Sequence, residues 1–279
     1  MGQRTSDCDG IQLRNGLPIG LTLDGLFSRG CYRPRMALKR LQPEEFFANL
    51  QAVDVLKERS ALLEARPQDF LCEPANREDA AALIQFAGSW ASVRHAHTFR
   101  ELGATWEPDF VLLRRGKSFE VVGGCVCFPT GWSLTKIQHH PLSIVHEPVP
   151  GMNLQLDFKV ERFFADLKLE ECYQRSNWGL TSSSQRNQHP RDNIVEIASD
   201  CDPAETFLRV EWQAIMPVDY FRIIFGIRIY QFTLESVRQQ PEAARLLAEN
   251  VRTMPEAMLR YKRLTRCRDR IVELLSKPL

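Results

Sequence analysis

The sequence predicts an α+β fold, an antiparallel sheet framed by helices at both ends, and three observations carry that prediction. Apolar residues recur at helical spacing in the first third of the chain. They alternate with polar residues over several runs between Asp109 and Tyr230, and return to helical spacing after Pro241. The alternating runs are separated by turn signals, which favours antiparallel pairing. The elements group as a lead-in over residues 1–32 followed by one domain over 33–279.

Each element has a local reason. The start is rich in Gly, Pro and Arg and lacks periodicity, so it reads as extended. From Pro43 to Arg66 an apolar stripe of Phe46, Phe47, Leu50, Val53, Leu56, Leu62 and Leu63 predicts helix. Asn76 reads as an N-cap, with Glu78 and Asp79 in the first turn and Ala80, Leu83, Ile84, Ala87 and Trp90 following. DFVLLRR and SFEVVGGCVCFP are joined at Gly116-Lys117 and read as a hairpin. Gly123-Gly124 inside the second run points to a bulge or a close backbone approach. A short amphipathic helix carrying Val160, Phe163, Phe164 and Leu167 comes next. YQRSNWGL then reads as a strand and residues 181–200 as a polar excursion.

Two further strands, FLRVEWQAIM and YFRIIFGIRIY, turn at Met216-Pro217-Val218-Asp219. Period 2 puts Arg209, Glu211 and Gln213 on one face of the first and Leu208, Val210 and Trp212 on the other. In the second, Arg222, Arg228 and Tyr230 share a face, taken to oppose the charged face of its neighbour. The closing helices open at Pro241 and near Pro255, where helices tolerate proline.

Composition bounds the function. The 279 residues carry 36 Lys and Arg against 35 Asp and Glu, a formal charge of +1, which argues against binding driven by nucleic-acid phosphates or a membrane surface. No apolar run reaches the ~18 residues of a membrane span, and the opening MGQRTSDCDG lacks the hydrophobic core of a signal peptide. The eight cysteines form no C-x-x-C pair, so a structural zinc site has little support. They read as reduced, buried thiols of a cytoplasmic protein.

Possible ligand chemistry concentrates in CVCFPTGWSLTKIQHHPLSIVHEPVPG, from Cys125 to Gly151, with three of the six histidines. Cys125 and Cys127 would share one face of a strand. Read alone, His146 in SIVHEPVPG is more often a hydrogen-bonded structural residue than a ligand. His139 and His140 are its competitors, and His95, His97 and His189 lie in polar, solvent-facing contexts. Trp132 reads as core packing.

These pieces, with RPRMALKRL, RSNWGL, LRVEWQAIMP, FGIRIY and MPEAMLRYKRL in that order, resemble the family of haem-dependent oxidative N-demethylase catalytic-subunit-like proteins, long catalogued as a domain of unknown function. The resemblance covers about residues 33 to 265. It implies a PAS-like core around haem b and oxidation of a small secondary amine by dioxygen with release of formaldehyde. It also implies electrons from NADPH through flavin and iron–sulfur partner subunits. This chain has no G-x-G-x-x-G and no cluster-type cysteine spacing, so no NAD, flavin or iron–sulfur site is expected in it.

The resemblance also implies roles. His146 becomes the expected iron ligand and Lys136 a partner for a haem propionate. Arg175 and Asn177 form a polar wall or a strand-tying network, with Trp178 in the core. Arg209, Glu211 and Arg228 form a catalytic face, Glu211 holding a protonated amine and an Arg supporting bound oxygen or a propionate. The penultimate strand departs from the family's R-x-E-R-Q-T-L pattern at Trp212 and Ala214 but keeps Arg209, Glu211 and Gln213. Two other readings stand beside this one: a haem-binding sensor without turnover, and a haem-free small-molecule-binding protein.

Overall fold

The computed structural model describes residues 13–14, 17–18, 21–34, 36–50, 52–90, 93 and 95–277, the side chains of 13–14 and 152–158 excepted. Two short strands, β1 (Leu13–Arg14) and β2 (Leu17–Pro18), pair with each other. After β3 (Lys39–Arg40) come α1 (Pro43–Phe47), α2 (Val53–Ala65), α3 (Pro67–Phe70), β4 (Leu71–Cys72), α4 (Arg77–Ala87) and α5 (Phe99–Thr105). Asn76 caps α4 by accepting from the Glu78 backbone N–H, as its position in the sequence predicts. Thr98 and Glu101 close a reciprocal capping box on α5.

The hairpin β5 (Asp109–Arg115) and β6 (Phe119–Cys125) follows, then three helices: α6 (Leu134–Ile137), α7 (Leu142–His146) and α8 (Met152–Asp166). Strands β7 (Tyr173–Thr181), β8 (Phe207–Pro217) and β9 (Arg222–Thr233) complete the sheet. The chain closes with α9 (Leu234–Arg238), α10 (Pro241–Thr253), α11 (Glu256–Tyr261) and α12 (Arg268–Ser276). Seven strands run in the order β3-β7-β8-β9-β5-β6-β4, every pair antiparallel. The predicted α+β class is the observed one.

The bulge expected near Gly123-Gly124 is present. Leu112 pairs with Gly123 and Leu113 with Val121, leaving Val122 as the extra residue. A Cβ on Gly124 would come within 2.3 Å of the Phe110 carbonyl oxygen, and one on Gly123 within 2.7 Å of that of Cys72, so both neighbouring strands require glycine here.

The sheet buries both faces, and its odd and even positions meet different partners. Phe110, Leu112, Trp212, Ala214 and Ile224 pack against α1, α4 and α5 through Phe46, Phe47, Leu83 and Phe99. Further along the same face, Trp178, Leu180, Leu208 and Val210 pack against α10 and α12. On the opposite face Val111, Leu113, Ile215 and Ile223 pack under Leu134, Leu142, Val145, Val160 and Phe164 of α6, α7 and α8. Part of the predicted lead-in lies outside the described residues. Within the described part, Leu23, Leu26 and Phe27 are buried with the C-terminal helices, and Phe27 meets the Trp178 ring at 5.3 Å.

Candidate functional site

The site is built where the apolar covering of one sheet face gives way to polar side chains. Ile215 anchors α7 and α8 on that face, and the next residues on the same side of β8 are Gln213, Glu211 and Arg209, which are 6 %, 8 % and 1 % exposed. Across the ladder, Arg175 pairs with Gln213, Asn177 with Glu211 and Gly179 with Arg209. One polar strip therefore runs over two adjacent strands, as period 2 predicts for the residues of β8.

A loop seals this strip. Arg209 Nη2 donates to the Phe128 carbonyl at 2.8 Å, and its Nε donates to Thr130 Oγ1 at 2.9 Å. The Thr130 hydroxyl in turn donates to Glu211 Oε1 at 2.6 Å. Glu211 Oε2 accepts from Gln213 Nε2 at 2.7 Å and from Asn177 Nδ2 at 3.3 Å. Thr130 is itself braced by a backbone bridge to Gln188 from the 181–200 excursion. The carboxylate thus has three neutral donors, and its charge is balanced through Thr130 rather than by direct contact with Arg209.

The strip is not fully satisfied. Among the described residues Arg209 Nη1, Arg175 Nε and Gln213 Oε1 are buried without a hydrogen-bond partner. Buried polar atoms are nearly always paired, so three orphans on one strip make it the candidate site. Burial pushes the Arg209 guanidinium down to about 10, countered by Glu211, and lowers Arg175 as well.

Lys262, just after α11, joins this edge. Its Nζ donates to the Trp178 carbonyl at 2.5 Å and lies 5.0 Å from the centre of the Trp178 ring. Burial pushes it down to about 8, with Glu211 opposing and Arg175 adding to the shift. Tyr32 stands beside Arg175 and Tyr261, its phenol raised to about 12 by burial. Neither Thr130 nor Lys262 was singled out from the sequence, although both fall in motifs that carry the resemblance. Alternating charge makes the C-terminal helices look uniformly solvated, and that hides Lys262.

Other expected site residues lie elsewhere. Arg228 is not on the strip: it pairs with Trp212 across the ladder and so occupies the opposite face. There its Nη1 meets Glu107 at 2.8 Å, while Nε and Nη2 bond the carbonyls of Phe46 and Ala48. Lys136 is exposed on α6. His146 ends α7, half-buried on the helix that covers the strip's face of the sheet. His139 and His140 are exposed, His139 3.7 Å from Glu120. His95 and His97 are exposed as expected.

His189 departs from expectation. It is 3 % exposed, because the excursion folds back over Phe70, whose ring it meets edge-on at 5.5 Å. Burial lowers it, and its Nδ1 accepts from the Arg191 backbone N–H.

The departures from the family pattern fall on the face away from the strip. Trp212 donates to Gln174 Oε1 at 2.7 Å and packs 4.8 Å from Phe46, and Ala214 is fully buried beside it. Cys125 and Cys127 share a face, their sulfurs 3.9 Å apart, beside the buried Arg59–Asp109 pair. No group of three or more His, Cys, Asp or Glu side chains converges on a metal position among the described residues, and no described helix is long and apolar enough to cross a membrane. A surface cleft of ≈ 700 Å³ lies by the β8–β9 turn, lined by Arg40, Arg115, Lys168, Asp219 and Tyr220 among others, and no strip residue lines it.

Residues 59–272 match the family described as haem-dependent oxidative N-demethylase, alpha subunit-like. That span contains every residue of the strip, the Thr130 loop, His146 and Lys262, and by this match over most of its length the chain belongs to that family.

Proposed function

We propose that this chain is a PAS-like haem b subunit that oxidatively N-demethylates a small secondary amine with dioxygen, served by separate flavin and iron–sulfur reductase chains. The observation that supports it best is the polar strip of buried Arg209, Glu211 and Gln213, half-buried Arg175 and exposed Asn177, with its three orphaned polar atoms. The donor set fits haem. Haem needs a side-chain ligand for its iron and cations for its carboxylates. His146 would ligate the iron in this reading, and Arg175 and Asn177 would form the polar wall. Lys136, being exposed, serves only at a solvent-facing rim. When bound, haem supplies the redox chemistry that oxidises the N-methyl group.

The chain's own residues bind and orient. An ionised carboxylate has about four acceptor positions. Glu211 already accepts from Thr130, Gln213 and Asn177, which leaves room for one N–H of a protonated amine. Those three donors fix the plane of the carboxylate, so the amine is held in one orientation. Arg209, tied down by Phe128 and Thr130, offers its remaining Nη1–H as a rigid donor.

The test begins with the absorption spectrum of protein purified from haem-supplemented cells. A Soret band is expected, and its absence after reconstitution sinks the proposal. His146→Ala should abolish or shift that band; an unchanged spectrum removes His146 as ligand. Formaldehyde release from dimethylated or N-methylated amines with a surrogate reductase should follow in the wild type and fall by at least tenfold in Glu211→Gln.

A further inference from the structure

We infer that Arg175, Arg209 and Lys262 together form a carboxylate-receiving site at the edge of the sheet. The inference rests on the haem reading above and extends it to a residue, Lys262, that this reading does not need.

The argument is one of unmatched charge. Three cations converge from β7, β8 and the end of α11 on a region with one carboxylate, Glu211. The other acids within reach of Arg209 are taken: Asp109 is held by Arg59 at 2.5 Å and Glu58 by Arg186 at 2.8 Å. The surplus is two positive charges on side chains that are buried (Arg209) or half-buried (Arg175 and Lys262), and withdrawing charge from water without a partner is costly. Hydrogen bonding shows the same deficit, since Arg209 Nη1 and Arg175 Nε are buried N–H groups with nothing to donate to among the described residues. Lys262 spends one N–H on the Trp178 carbonyl, and an ammonium has three. What is missing is an anion with several acceptor oxygens.

A carboxylate supplies that, and two sources are chemically possible: the two propionates of haem b, or a carboxylate on the substrate, as in an N-methyl amino acid. Haem fits the count, since two propionates equal the surplus. Placement at the β7 edge also suits groups that reach the protein margin. Strand β3 pairs only with Tyr173 and Gln174, so from Arg175 onward β7 has no outer strand partner among the described residues.

The experiment titrates the full-length protein with haemin and with haemin dimethyl ester, which lacks both charges, following the Soret band. The wild type should prefer haemin by at least tenfold. Lys262→Met and Arg175→Met should each cut that preference severalfold, and Lys262→Arg should keep it. A second arm titrates haem-loaded protein with N-methylglycine and with dimethylamine. A carboxylate-dependent spectral shift that the same Met variants lose, with the ester preference intact, assigns the site to the substrate instead. Met variants that alter neither response, while haemin still binds, overturn the inference. If neither haemin nor its ester gives a Soret band, the haem reading itself has failed. The inference then stands only if carbon-13-labelled N-methylglycine binds the apoprotein and loses affinity in the Met variants.

Discussion

The two faces of β8 and its neighbours treat buried arginine in opposite ways. Arg228, on the face toward α1, gives Nη1 to Glu107 and its other donors to the carbonyls of Phe46 and Ala48, and its guanidinium lies 5.5 Å from the centre of the Phe46 ring. Arg59, beside β5, is likewise bonded to Asp109 and the Gly103 carbonyl. Arg209 and Arg175, on the other face, each keep a buried N–H with no acceptor among the described residues. A cation matched donor for donor holds elements together. In the proposed reading, a cation left short is held in place for a ligand. Donor matching distinguishes the two arginines where exposure does not, since Arg209 and Arg228 are both buried.

The sharpest way to break this contrast is Arg228→Met. It leaves Glu107 buried without its cation, so unfolding by urea should show a loss of about 3–5 kcal/mol, with the haemin-to-ester preference unchanged. A variant of wild-type stability and weakened haem binding would reverse the assignment of the two faces. Thr130→Val comes next. It removes the hydroxyl linking Arg209 to Glu211 and should cost about 1–3 kcal/mol, the price of leaving both charged groups under-bonded. Arg175→Met should move stability by less than about 1 kcal/mol in either direction, because its Nε has no hydrogen bond to lose among the described residues. A large destabilisation there would show that Arg175 ties strands instead of awaiting a ligand.

The smallest effect is electrostatic. Lys262 has a folded pKa of about 8 against 10.5 unfolded, so the native state binds this proton more weakly than the unfolded chain. The penalty is full below about pH 8 and is lifted as pH rises toward 10.5. In the apoprotein this lysine therefore makes stability rise across that window. Lys262→Met should flatten its share of the rise in thermal midpoints measured from pH 7.5 to 10.5. A slope identical to wild type contradicts the lowered pKa of this lysine.

Much of the site was legible because strands have period 2. Arg209, Glu211 and Gln213 follow from alternation alone, and Arg175 with Asn177 from the next strand. Arg228 was misplaced for a reason that alternation cannot reach. Which face of one strand meets which face of the next is set by the turn, and Pro217 pairing with Ile223 forces Trp212 onto Arg228. A one-residue change in that turn would have put Arg228 beside Glu211. His189 was assigned to solvent from its polar neighbours, yet the excursion packs back through Gln188 onto Thr130. Lys262 is hidden by a similar logic, its contact with Trp178 joining two motifs that local pattern cannot connect.

The order of strands also has a bearing on how the molecule is made. Strands β8 and β9 close through a tight turn, as do β5 and β6, whereas Asp109 must find Ile227 and Thr130 must find Arg209 across long stretches of chain. Loop closure over such separations delays contacts relative to local hairpins. The two hairpins are therefore expected to be protected first in pulse-labelled hydrogen exchange during refolding. The Thr130 loop and the Lys262 contact should appear in the last kinetic phase, and simultaneous protection would refute that order. A binding surface gathered from four distant pieces would then exist only in the completed fold, so a partly folded chain could not hold its ligand prematurely.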